Sequence, residues 1–176
     1  KPTLLYARNV DVDRENLREL ELLPGGIQAY KSSDNGRGPH LEQLRKNCQA
    51  AELLQLKVGA QVMLLKNLSP VLVNGSRGVV EDFRKTGPMV FFPELGYPVL
   101  IEKAFFEVKE GEEVMASRKQ YPLKLAWALT IHKCQGMTLP QAVIDLTGVF
   151  EYGQVYVALS RVQSLAGLRV VGLSPL

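Results

Sequence analysis

The stretch over residues 125–138 restricts the possible folds more than any other part of the chain. An apolar segment, Leu125-Ala126-Trp127-Ala128-Leu129, stops abruptly in Thr130-Ile131-His132-Lys133-Cys134-Gln135-Gly136-Met137-Thr138. A second run has the same layout: Gly153-Gln154-Val155-Tyr156-Val157-Ala158-Leu159-Ser160-Arg161. A buried strand or helix that ends in hydrogen-bonding residues delivers a site to an edge. After Pro122 the order reads strand, turn, helix, strand. Residues 123–129 form an apolar run with Trp127 in the core. Thr130 caps a turn that Gly136 ends. Residues 142–146 read as a buried strand, 154–160 as a helix and 168–173 as a last strand. Strands alternating with short helices predict a parallel α/β sheet. Ligands bind such sheets at the carboxyl ends of the strands, where 130–138 falls.

The amino-terminal part carries a short strand over 2–6 and a loose helix over 12–23, with Leu17, Leu20, Leu22 and Leu23 as its apolar positions. Pro24-Gly25-Gly26 ends it. Another short strand covers 27–31. Residues 32–39 are a loop by composition. Gly36-Arg37-Gly38 is a turn and not a phosphate loop, because no Gly-Lys-Ser or Gly-Lys-Thr follows. Residues 41–56 read as helical, with Leu41, Leu44, Cys48 and Ala51 at helical spacing. The texture changes at Lys57. Residues 58–66 are strand-like, Asn74-Gly75 is a strong hairpin signal, and Gly78 marks a bulge or a close approach in the strand over 76–83. Further strands cover 89–92 and 99–108. Short strands with close turn signals predict a small β-barrel or meander inside a chain whose two ends look α/β.

The 176 residues fit one domain, or one domain with an insertion, and can bury a real core. A hydrophobic fraction of 46% and a charged fraction of 22% are ordinary for a soluble globular protein. The net charge of +3 is too small to announce a nucleic-acid partner by itself. No apolar run reaches the length of a membrane span. Cys48 and Cys134 lie far apart, so free thiols are expected. The two histidines make no metal spacing. The chain opens at Lys1 without an initiator Met, so it is expected to be a piece of something larger.

Thr130, His132, Lys133, Gln135 and Thr138 crowd hydroxyl, imidazole, ammonium and amide groups into one turn, and Gly136 permits close backbone approach. These groups suit phosphate and sugar. Ser160 lacks the Gly-x-Ser-x-Gly frame of a nucleophile elbow, and Cys134 reads as an inert buried thiol. Arg161 ends an apolar helix. Its guanidinium can take an anion bidentately or form an ordinary surface salt bridge.

Ala128-Leu129-Thr130-Ile131-His132-Lys133-Cys134-Gln135-Gly136-Met137-Thr138 resembles the fifth motif of superfamily-one helicases, and Tyr156-Val157-Ala158-Leu159-Ser160-Arg161 resembles the sixth. Residues 53–67, 73–80 and 122–128 are similar to the Pif-one (petite integration frequency) branch. The resemblance implies an α/β fold: a RecA-like parallel-sheet domain, the second of a motor, with an inserted small Src-homology-3-like β-barrel. Residues 1–56 would be the first RecA-like segment, 57–120 the barrel and 121–176 the second segment.

The activity implied is ATP-driven movement 5′ to 3′ on single-stranded DNA, with opening of duplex forks, G-quadruplexes and RNA–DNA hybrids. DNA repair, recombination and telomere maintenance in the nucleus or mitochondrion are the expected settings. By this resemblance Thr130, His132 and Lys133, with Asn74 and Arg77, would contact DNA. Gln135, Gly136 and Thr138 would lie nearer the nucleotide, and Arg161 would be the arginine finger at the γ-phosphate. ATP and Mg²⁺ would be held mainly by the first RecA-like domain of the same protein. No Gly-x-x-x-x-Gly-Lys-[Ser/Thr] loop occurs here, so the chain is expected to be a carboxyl-terminal helicase part that hydrolyses no ATP alone. Cys134 stands where the family often has Ser, and Gln163 where many members carry a basic residue. A non-catalytic nucleic-acid-binding module and a RecD-type helicase are the alternatives.

Overall fold

The computed structural model describes residues 1–148 and 152–172. In chain order the elements are β1 (Thr3–Tyr6), α1 (Asn9–Leu22), β2 (Gln28–Lys31), β3 (Ser33–Gly36), α2 (Gly38–Asn47), β4 (Leu53–Leu56), β5 (Gln61–Leu64), β6 (Arg77–Arg84) and β7 (Gly87–Phe92). There follow β8 (Tyr97–Leu100), β9 (Ala104–Glu110), β10 (Glu113–Gln120), β11 (Leu123–Leu125), β12 (Ala128–Thr130), β13 (Ala142–Asp145), α3 (Tyr152–Leu159), a 3₁₀ turn (Leu165–Gly167) and β14 (Leu168–Val171). The chain divides into two compact units, Lys1–Leu22 with Ala126–Leu176, and Leu23–Leu125.

The first unit is built on a parallel sheet in the order β12-β1-β13-β14. This is the parallel α/β sheet expected from the alternation after Pro122. Leu5, Leu129 and Ile144 are almost wholly buried within it, and Trp127 is buried at its start. Helix α1 offers Val12, Asn16 and Leu20 to the interior. These lie four residues apart and so form one helical stripe. The apolar positions Leu17 and Leu22, expected to mark the inner face, are half or more exposed. A polar residue in the middle of the true stripe hid it from a reading by hydrophobicity. Leu173, the end of the expected last strand, lies outside the described residues.

The second unit holds a five-stranded sheet, β11-β5-β6-β7-β8, a three-stranded sheet, β3-β10-β9, and the pair β2-β4. All of its pairings are antiparallel. The turn-rich meander expected from residue 57 onward is present as β5 to β8. The Asn74-Gly75 signal sits at a turn, with Gly75 at φ +98°, but the β5–β6 connection takes up all of 65–76. At Gly78 a Cβ would stand 2.6 Å from the Phe91 carbonyl oxygen and 2.7 Å from Val90 Cγ1, so the close approach is real.

Three expectations are corrected. Residues 32–39 are not merely a loop, because 33–36 pair with β10 as an edge strand. Their polar composition suits an edge strand whose partner is far off in sequence. The expected helix over 41–56 stops at Asn47, and 53–56 form β4 against β2. The apolar run over 123–129 is two strands: β11 pairs with β5 in the second unit, and β12 pairs with β1 in the first. Hence residues 23–56 and 121–125, read as parts of the outer segments, fall within the second compact unit.

Arg118 on β10 is 2% exposed. Its Nε and Nη2 donate to both oxygens of Asp34, each at 2.7 Å, and its Nη1 donates to the Ala50 carbonyl at 2.8 Å. A buried guanidinium survives only when its donors are met in this way. Two positions along, on the same face of the strand, Gln120 is wholly buried. Its Nε2 donates to the carbonyls of Tyr30 and Ala51, and its Oε1 accepts from the Tyr121 amide. These two side chains fasten β2, β3 and the 48–52 link to β10.

Removing Arg118 strands the Asp34 carboxylate and the Ala50 carbonyl. Arg118→Ala is expected to cost roughly 3–5 kcal/mol of unfolding free energy, read by urea denaturation. The hydrogen bonds from Arg118 hold the Asp34 carboxyl below the usual carboxylate range, against its partial burial. A depressed carboxylate contributes stability that is present above its unfolded-state pKa and lost as pH falls through the lower folded value. The contribution from Asp34 should therefore be full at neutral pH and fail below about pH 4. Urea curves at pH 7 and pH 3 for the native chain and Asp34→Asn measure it; Asp34→Asn should show a smaller loss on acidification.

Candidate nucleic-acid and nucleotide site

The carboxyl edge of the parallel sheet is where β1 ends in Tyr6, β12 in Thr130 and β13 in Asp145. Tyr6 is half-buried there, and burial, followed by the nearby Glu15 and Asp145 carboxylates, raises its phenol pKa. Chain leaves this edge from β12 as a tight turn over 131–136. The Ile131 amide still donates to the Tyr6 carbonyl at 3.0 Å, so the sheet's last rung reaches into the turn. Thr130 then caps it as expected. Its Oγ1 accepts from the Lys133 amide at 3.3 Å and its carbonyl from the Cys134 amide at 3.2 Å. Thr130 itself is buried, whereas His132, Lys133, Gln135, Gly136 and Thr138 are exposed. Gly136 has φ +79° and open space beside its Cα. Its requirement is therefore conformational: a side chain would fit the space but strain the backbone.

Cys134 is the anchor beneath the turn. It is fully buried, and its thiol donates to the Ile131 carbonyl at 2.9 Å. Burial pushes the thiol pKa up, with the Arg161 charge working against that rise. A thiol so held is a packing group. At the far end, Leu139 is 2% exposed and makes a parallel bridge with Val162. The Leu139 amide donates to the Arg161 carbonyl at 2.8 Å, and the Gln163 amide donates to the Leu139 carbonyl at 3.1 Å.

Arg161 follows α3 and is half-buried. Its Nε donates to the Val157 carbonyl at 3.4 Å. Among the described residues no carboxylate pairs with its guanidinium.

One residue on α1 that sequence reasoning did not single out sets where the turn begins. Asn16 is 4% exposed; its Nδ2 donates to the Ala128 carbonyl at 3.1 Å, and its Oδ1 accepts from the Ala128 amide at 2.9 Å. β12 is an edge strand, and the amide takes the place of a further strand at that residue. Gln154 was likewise read only as part of a helix, yet its Nε2 lies 3.2 Å from His132 Nε2. The signal for Asn16 was a polar residue at the helical spacing of Val12 and Leu20.

Asn74 and Arg77 belong to the second unit. The Asn74 amide donates to Asn67 Oδ1 at 2.8 Å, and its side chain lines an open groove of about 630 Å³ with Asn47, Gln49, Lys66 and Phe106. Arg77 is half-buried on β6, and burial lowers its guanidinium pKa. So the structure gathers Thr130, His132, Lys133, Gln135, Gly136, Thr138 and Arg161 in one unit, while Asn74 and Arg77 lie in the other.

A polar turn leaves the carboxyl edge of a parallel sheet and is bonded through Leu139 to Arg161, which among the described residues has no carboxylate partner; this is an edge of an α/β domain rich in hydrogen-bond donors. Residues 40–83 match the family model described as DNA helicase Pif1, 2B domain. The human ATP-dependent DNA helicase PIF1 is 46% identical over 180 residues, covering 99% of this chain and 28% of that protein. The crystal structure of Pif1 helicase from Candida albicans superposes with a TM-score of 0.86 at 41% identity, over 98% of this chain and 45% of that one. Bacteroides Pif1 bound to single-stranded DNA gives a TM-score of 0.79 at 28% identity, over 99% and 41% of the two chains. In complex with ADP-AlF4 it gives 0.77 at 30% identity, over 98% and 40%. The chain belongs to the Pif1 family of DNA helicases, and spans a little over a quarter of the human relative's length.

Two outcomes are expected of the site's scaffold. Asn16→Ala leaves both polar groups of Ala128 unpaired, at a cost of about 2 kcal/mol, and speeds hydrogen exchange at the Ala128 amide; Asn16→Asp keeps the acceptor and restores part of the protection. Maleimide labelling of the native chain, mapped by peptide mass spectrometry, should modify half-buried Cys48 well before Cys134.

Proposed function

We propose that this chain supplies part of the motor of an ATP-dependent DNA helicase that moves 5′ to 3′ on single-stranded DNA. Forked duplex, G-quadruplexes and RNA–DNA hybrids are its substrates, in the nucleus or mitochondrion. In this reading the first compact unit is the second RecA-like domain, and the antiparallel strands over 57–120 are its Src-homology-3-like insertion. Thr130, His132 and Lys133, with Asn74 and Arg77, grip DNA, chiefly its backbone. Gln135, Gly136 and Thr138 lie toward the nucleotide.

The observation that carries the reading is Arg161, after α3, which among the described residues has no carboxylate partner and whose carbonyl is bonded to Leu139 at the end of the 131–138 turn. One backbone link thus joins the proposed DNA-facing and nucleotide-facing residues. The structures of Bacteroides Pif1 with single-stranded DNA and with ADP-AlF4 support the two ligand classes.

The residues here do not build the whole nucleotide site. The sequence has no Gly-x-x-x-x-Gly-Lys-[Ser/Thr] loop. Among the described residues no group of three His, Cys, Asp or Glu could hold a metal ion. In this reading ATP and Mg²⁺ are held mainly by the first RecA-like domain of the same protein. The part assigned to this chain is the Arg161 guanidinium, which stabilises charge on the transferring phosphoryl group.

In the full-length protein, Arg161→Ala is expected to lower ATP turnover by about 10³-fold while single-stranded DNA binding is kept. Turnover equal to the native protein would favour a non-catalytic nucleic-acid-binding module. The chain alone should bind single-stranded DNA weakly, losing affinity as salt rises, and should hydrolyse no ATP; a steady ATPase rate from it would overturn the division of the site.

A further inference from the structure

Gln154 stands in the first turn of α3, beside the His132 ring of the polar turn. Its Nε2 lies 3.2 Å from His132 Nε2, and its Oε1 is buried with no hydrogen-bond partner among the described residues. Gln154 and Ala158 lie at i and i+4 on one face of α3, and Arg161 follows two residues after the helix ends. Ala158, between the other two, is fully buried. The chain that follows α3 is bonded to the same turn through Leu139, Arg161 and Gln163. The turn over 131–139 is therefore held at two points, by a side-chain contact at His132 and by backbone bonds at Leu139.

The first contact has a direction. A side-chain NH₂ only donates, so the Gln154 amide, with Nε2 toward the ring, donates to an unprotonated His132 Nε2. The neutral ring then carries its proton on Nδ1. An Nδ1–H is a donor, as a phosphate oxygen requires. Turning the amide over would set Oε1 against the ring, select the Nε2–H tautomer and leave Nδ1 as an acceptor, which a phosphate does not accept from. The unpartnered Oε1 is what the present orientation leaves unsatisfied.

We propose that Gln154 is a positioning residue: its amide holds the His132 ring as the Nδ1–H tautomer and, through α3 and the two residues that follow it, ties the placement of the ring to that of the Arg161 guanidinium. The roles of His132 and Arg161 toward DNA and nucleotide rest on the function proposed above; the contact between Gln154 and His132 does not.

The test is made on the full-length protein with ¹⁵N-labelled histidine, the His132 signals being assigned by their loss in His132→Asn. At pH above the imidazole range the native protein should show His132 chiefly as the Nδ1–H tautomer. Gln154→Glu offers an acceptor and no donor, and should move His132 to the Nε2–H tautomer. Gln154→Leu offers neither and should relax the ring toward its solution mixture. In turnover stimulated by single-stranded DNA, Gln154→Leu and His132→Ala should each lower the rate about tenfold. The double variant should fall no further than the single ones, because both remove one contact. A His132 tautomer unchanged in the Gln154 variants, or losses that multiply in the double variant, overturns the assignment. If Gln154→Leu fails to fold, Gln154→Glu carries both measurements. If the native protein shows no DNA-stimulated turnover, the proposed function fails, and the tautomer spectrum alone decides the assignment of Gln154.

Discussion

The amide of Asn16 closed on the backbone of Ala128 is the interaction on which the candidate site depends. β12 lies at the edge of the parallel sheet and is only three residues long. Beyond its pairing with β1, an edge strand has N–H and C=O groups that point away from the sheet and must find partners. Asn16 meets both groups of Ala128 at once. It can do so because α1 carries it between Val12 and Leu20 on the buried stripe. Everything after Thr130 inherits that placement: the cap on the Lys133 amide, the buried Cys134 and the bridge from Leu139 to Val162. A polar residue inside an apolar stripe would be a fault if unpaired. Here it holds the strand that delivers the polar turn.

The second unit solves a similar problem with longer side chains. β3 is short, polar and far in sequence from its partner β10. Composition alone gives it little reason to be a strand. Arg118 and Gln120 supply the reason, because their donors are met by Asp34, Ala50, Tyr30 and Ala51, all from chain segments that precede them by many residues. Both side chains are nearly or wholly removed from water. Such groups tolerate few alternative packings, since any shift of register strands a buried charge or amide.

Legibility followed the range of the interactions. The parallel sheet could be read because β13 and β14 are local apolar runs, and the Thr130 cap because its partner is three residues away. Gly78 could be read because a glycine in a strand has few other reasons to be there. The strand at 33–36 could not be read, because its evidence lies at 116–119. Nor could the split of 123–129, since Leu125 and Ala128 look alike in sequence while their partners, β5 and β1, belong to different units. Gln154 looked like any polar residue on a helix until its amide was found beside His132.

By itself the sequence determined the local material of the protein: the apolar runs that become strands, the cap and glycine that shape the 131–136 turn, and the two motif-like runs that carry the family resemblance. These depend on residue type and on neighbours a few positions away, which a linear chain displays. Tertiary structure alone decided which strand takes which partner, which face of α1 is inner, and that Arg161 stands without a carboxylate partner among the described residues while Arg118 is paired with Asp34. Those outcomes turn on hydrogen bonds between residues about a hundred positions apart, such as Asn16 and Ala128, whose value exists only once water has been excluded around them.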